Sequence, residues 1–149
     1  MISGQKTSQY AYNFSSFLLM VLWSYAVWVK LADLAHYQQQ VLRQPFAPVV
    51  NLLLTYFIPI AEAAVAGLLI FNYSRPGLWL SLLLLVSFSI YILLILMHFY
   101  AKVPCSCGGF ISKMSWQHHF MFNLCLIAIN TYCLYYLNQN RKEVAEKMH

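Results

Sequence analysis

The sequence predicts an all-α membrane protein, a four-transmembrane-helix bundle with a short interfacial segment after the first helix. Three observations predict it. Of 149 residues, 61% are hydrophobic and only 9% are charged, against about 45–50% and 25% in soluble domains. A globule of this length buries only about two-thirds of its chain surface and needs a polar shell, and too few polar residues exist here to build one. The apolar residues also fall into four runs, at residues 10–34, 47–71, 78–99 and 117–137. Each is about 20–25 residues long, the length at which a helix crosses some 30 Å of hydrocarbon. The breaks between the runs carry loop chemistry. A disordered chain is excluded by the same composition. A nucleic-acid binder is excluded because the nine Lys and Arg are spread thinly along the chain rather than gathered into a phosphate-tracking patch.

The first run follows Lys6, as the core of a cleaved signal peptide would. It is too long for one, it holds Lys30 and Asp33, and no small-x-small site follows. It reads as a retained membrane helix. Lys30 and Asp33 lie three residues apart near its end, the spacing of a structural ion pair on one helix. Residues 33–48 are polar and end in Pro45 and Pro48, with His36 to Arg43 able to form a short helix at the interface. The second run places Asn51, Thr55 and Glu62 on one face, and Glu62 is the only acidic residue deep in a span. Such a carboxylate needs a proton or a partner. The tight break at residues 72–77 contains Pro76, which suits the first turn of the third helix. That helix carries Ser87, Tyr91 and His98, and the fourth carries His119, Asn123 and Asn130, each set spaced by four and seven. Asn, Ser and Thr on such stripes serve as interhelical hydrogen-bonding glue. Residues 138–149 read as a charged tail, the whole chain being one domain.

Counting Lys and Arg beside the spans sets the orientation. Lys6, Arg75, Arg141, Lys142 and Lys147 share one side, and Arg43, Lys102 and Lys113 the other. The excess puts both termini in the cytoplasm of a bacterial inner membrane. The loop after the third span then faces the periplasm, where disulfides persist.

That loop holds Pro104-Cys105-Ser106-Cys107-Gly108-Gly109. Sulfurs one residue apart close a small strained ring, which is labile and suited to exchange. Its entropic contribution to stability is slight, because that contribution grows with loop length. Lys102 and Lys113 favour thiolate. Three readings remain open for Cys105 and Cys107: a redox-active dithiol, a soft metal site, or an inert pair. A Cu(I) site would draw on Cys105, Cys107 and His119, and the one-residue gap counts against zinc. Cys125 and Cys133 lie inside the fourth run, where free cysteine behaves as a small hydrophobe.

Taken together, several residues resemble the MauE/DoxX-like group of redox-associated membrane proteins. They are the basic–acidic pair ending the first span (Lys30, Asp33), Pro59-x-x-Glu62, the Cys-x-Cys-Gly-Gly loop, and Trp116-x-x-His119-x-x-Phe122-Asn123. The resemblance spans nearly the whole chain. Its MauE branch is associated with maturing the disulfide-rich small subunit of methylamine dehydrogenase. There the Cys-x-Cys is followed by an aromatic and Gly, and Gly108-Gly109-Phe110 departs from that order here. The resemblance implies Cys105 and Cys107 as functional thiols, and more weakly Glu62 and His119.

The resulting expectation is a thiol–disulfide oxidoreductase of the membrane. Cys105 and Cys107 exchange electrons with a periplasmic thioredoxin-like protein or client. A quinone between the helices serves as second carrier by fold-level analogy. Glu62, His98 and His119, with Asn123 beside them, support proton transfer. The competing expectation is a non-enzymatic accessory or assembly subunit of a larger membrane complex.

Overall fold

The computed structural model describes residues 2–99 and 115–147, with side-chain surroundings for 7–99 and 115–142. Among them are five helices and no strand: α1 (Ile2–Ala32), α2 (Leu34–Leu42), α3 (Pro48–Ile70), α4 (Ser74–Leu96) and α5 (Trp116–Lys147). Four stretches are long and apolar enough to cross a membrane: Thr7–Ala32, Pro48–Ile70, Ser74–Leu96 and Trp116–Lys142. The predicted helical class and four spans are therefore present. The surface agrees with a lipid solvent. On α3, Leu53, Phe57 and Ile60 are exposed, while Asn51, Thr55, Glu62, Val65 and Leu69 turn inward.

The ends of these helices follow local chemistry. Asp33 leaves the helical region (φ −136°) and stops α1, and its carboxylate accepts from the His36 N–H as the N-cap of α2. α2 then continues beside α3. The contacts Lys30–Glu62, Tyr37–Leu54 and Leu42–Asn51 advance along the first helix pair while descending α3. α1 and α2 thus form one interrupted rod antiparallel to α3. The linker after α2 is held by Asn51, whose Nδ2 approaches the carbonyls of Gln44, Leu42 and Phe46 at 3.0, 3.3 and 3.4 Å.

α4 begins at Ser74, earlier than the apolar run at residue 78, because Pro76 fits the first turn, where its missing N–H costs nothing. Gly77 permits the closeness of α3 there: a Cβ on it would lie 3.1 Å from Leu68 Cβ. At its other end α4 stops at Met97, short of the predicted Phe99. His98 takes φ 54°, its N–H donates to the Ile95 carbonyl, and the Phe99 N–H donates to Leu94. These bonds form a Schellman stop, with histidine in the left-handed position usually taken by glycine. α5 passes the predicted boundary at residue 137 and runs to Lys147. The residues beyond 137 include good helix formers and no Gly or Pro, so nothing there breaks the ladder.

The core lies between α1, α3, α4 and α5. Leu19, Val65, Leu78 and Cys133 are fully enclosed. Trp23 Nε1 donates to Ser81 Oγ at 2.9 Å, tying α1 to α4, and Asn130 Nδ2 donates to the Leu78 carbonyl at 3.1 Å, tying α5 to α4. Thr55 and Ser87, expected as interhelical glue, instead donate to carbonyls four residues back in their own helices.

Candidate functional site

Lys30 and Glu62 meet inside the bundle. Nζ of Lys30 donates to Glu62 Oε1 at 2.9 Å and lies 3.3 Å from the Ala26 carbonyl. Its ammonium also faces the Tyr37 ring, 5.9 Å from the centroid. Glu62 is 2% exposed and Lys30 8%. By helical rise, Glu62 lies about 21 Å along α3 from Pro48, well within a span. Two opposite charges in contact at that depth satisfy the rule that intramembrane ions are paired.

This pairing corrects the expected Lys30–Asp33 bridge. Asp33 lies past the last residue of α1, so the helical i, i+3 geometry that would bring the two together ends before it. Its carboxylate caps α2 instead. Pro59, inside α3, leaves the Thr55 carbonyl without its usual helical donor about two turns before Glu62.

Beside the ion pair is a partly open cavity of about 380 Å³ lined by residues of all five helices. Its walls are mainly apolar and aromatic, with Trp23, Phe57, Phe88 and Trp116 among them. Glu62, Lys30, His119 and Asn123 all reach it. So do Gln44 and Tyr91, whose hydroxyl donates to Gln44 Oε1 and joins α4 to the α2–α3 linker. His119 stacks on Trp116, with centroids 6.5 Å apart and planes at 17°.

Three buried atoms along this wall have no hydrogen-bond partner among the described residues: Glu62 Oε2, His119 Nδ1 and Asn123 Nδ2. Such atoms are costly to bury unsatisfied, about 1–3 kcal/mol each. Cavities of this size, apolar with a few convergent polar groups, are the usual form of small-molecule sites.

Of the sequence-predicted residues, the fold brings together Lys30, Glu62, His119 and Asn123. It separates Asp33 and His98: Asp33 caps α2, and His98 is exposed beyond the end of α4, outside the cavity wall. Cys105 and Cys107 lie outside the described residues, and with them two of the three expected Cu(I) ligands. Among the described residues no three His, Cys, Asp or Glu side chains gather as a metal site. Cys133 is buried and Cys125 exposed, because eight residues at about 100° each leave them some 80° apart around α5. Sequence reasoning missed Gln44, Tyr91 and Trp23 as wall residues. Tyr91 alone carried a signal, standing four residues after Ser87 on one stripe.

The fold and this site define a four-span helical membrane protein with a buried Lys–Glu pair at the edge of an internal cavity. The family model described as Methylamine utilisation protein MauE matches residues 8–136, and the chain belongs to that family. No curated protein and no solved structure matches it significantly.

Proposed function

We propose that this chain is a thiol–disulfide exchange protein of the bacterial inner membrane, acting through Cys105 and Cys107 on a periplasmic thioredoxin-like partner. One observation carries the reading. The segment with both cysteines leaves from α4 and returns to α5 at the end of the bundle where Tyr91, Trp116 and His119 line the cavity. Both attachment points are held: the Schellman stop ends α4, and Ser115 Oγ accepts from the His118 N–H at the start of α5. A segment that joins two spans this way suits thiols that act on a partner in water, which supports the reading.

The exchange is balanced in itself. A thiolate of the pair attacks one sulfur of the partner's disulfide, forming a mixed disulfide and releasing one partner thiolate. The second cysteine then attacks the mixed disulfide. The Cys105–Cys107 bond forms, the partner leaves as a dithiol, and two electrons and two protons have moved. Reversing the steps reduces the pair.

Trapping the mixed disulfide tests this. Cys107→Ser or Cys105→Ser, expressed in cells and quenched with acid, is expected to accumulate a covalent adduct that reductant dissolves. The double Cys→Ser variant is expected to form none. The absence of any adduct from both single variants contradicts the proposal. A stoichiometric partner that co-purifies equally with the double variant favours the accessory-subunit reading.

A further inference from the structure

We propose that the cavity beside Lys30 and Glu62 binds the head group of a lipid-soluble quinone. The wall holds buried polar atoms that lack partners. Asn123 is 5% exposed and Glu62 2%, yet Asn123 Nδ2 and Glu62 Oε2 have no partner among the described residues, nor does His119 Nδ1. Asn123 offers a donor and Glu62 an acceptor, while the His119 nitrogen serves as either according to tautomer. A lipid acyl chain would fill the apolar volume and leave all three unsatisfied. A quinone presents carbonyl oxygens that accept from Asn123 and His119. Once reduced, it presents hydroxyls that donate to Glu62. Asn123 and His119 thus meet the oxidised form, and Glu62 gains its donor when the ring is reduced.

The rest of the cavity suits that occupant. A flat ring packs against the aromatic faces of Trp23, Phe88 and Trp116, where offset stacking adds to burial. Lys30 holds Glu62 through Oε1, which leaves Oε2 as the oxygen that meets the ligand. The volume of about 380 Å³ lies in the range of small-molecule sites, and an isoprenoid tail is soluble in the surrounding lipid.

Binding stands on this wall alone. The role of the quinone as electron acceptor rests on the thiol–disulfide reading. There, two Cys S–H bonds are lost, one S–S bond forms, and the two carbonyl oxygens take up two electrons and two protons to become a quinol.

The test titrates a decyl-chain benzoquinone into the purified full-length protein in detergent. Quenching of tryptophan fluorescence is read alongside the quinone retained after gel filtration. Saturable quenching near one quinone per chain is expected. Asn123→Leu should weaken it about tenfold, the scale of one lost buried hydrogen bond, and Glu62→Gln should weaken binding of the dithionite-reduced quinol by the same factor. Ala26→Phe, which adds bulk to the cavity wall from α1, should abolish it. Helical circular dichroism and a monodisperse elution peak confirm that each variant is folded.

Decanol carrying the same chain length should neither quench nor compete. Equal competition by decanol would make the cavity an acyl-chain pocket and overturn the proposal. So would non-saturable quenching, or affinity unchanged in Ala26→Phe. The double Cys105→Ser/Cys107→Ser variant is expected to bind as the wild type does. If it does while the cysteines prove inert, the site stands and only its coupling to thiols falls.

Discussion

Removing either partner of the Lys30–Glu62 bridge should destabilise the bundle far more than removing both. The contact is 2.9 Å long and both side chains are nearly enclosed. Lys30→Met leaves Glu62 with neither oxygen bonded, since Oε2 already lacks a partner. Truncating one member of a buried pair costs about 3–5 kcal/mol, whereas replacing both members with apolar residues of similar volume is close to neutral. The single variants Lys30→Met and Glu62→Met are thus each expected to lose about 3–5 kcal/mol. The double variant should lie within about 1 kcal/mol of wild type, giving a coupling of at least about 5 kcal/mol. The assay is reversible unfolding in mixed micelles of increasing SDS fraction, read by circular dichroism and tryptophan fluorescence. Additive single effects, or a Lys30→Met cost below about 1 kcal/mol, would refute the claim that this pair is desolvated and mutually dependent.

Three further outcomes follow from the geometry. Asn51→Ala removes the side chain that gathers the carbonyls of residues 42, 44 and 46. Trypsin should then cut faster after the exposed Arg43 in proteoliposomes, with a stability loss of about 1–3 kcal/mol. Cys133, fully enclosed, should resist maleimide in folded protein and label only after denaturation; burial also pins its thiol against oxidation, so trapping experiments read the other cysteines. Single cysteines at Arg43 and Arg75 test the proposed orientation: in intact spheroplasts, an impermeant thiol reagent should label Arg43→Cys and spare Arg75→Cys.

The four spans were legible because burial in lipid leaves long uninterrupted apolar runs, a signal that survives without knowing any contact. Glu62 was legible for the same reason, as a lone acid within such a run. Its partner was not. Sequence proximity pointed Lys30 at Asp33, three residues away, but that spacing is a contact only while the helix continues, and Asp33 is where it ends. The true partner is 32 residues distant and is found only once α1 and α3 are packed. His98 failed similarly. Its spacing placed it on the α4 stripe, whereas the Schellman stop turned it outward. His119 and Asn123 shared a face by helical period and do share a wall. The cavity itself depends on how side chains of five helices fill space, which no single periodicity encodes.

On the proposed function, Cys105 and Cys107 cycle between dithiol and disulfide. The direct measurement is the redox state of that pair in intact membranes, in a variant with Cys125 and Cys133 replaced by Ala. Acid quenching and a mass-tagging maleimide count the free thiols after exposure to oxidant, to reductant and to an added benzoquinone. Two tags are expected after reductant, none after oxidant, and loss of both tags together when quinone is supplied. A pair that carries two tags under every condition, or one that never becomes accessible to reductant, would contradict it.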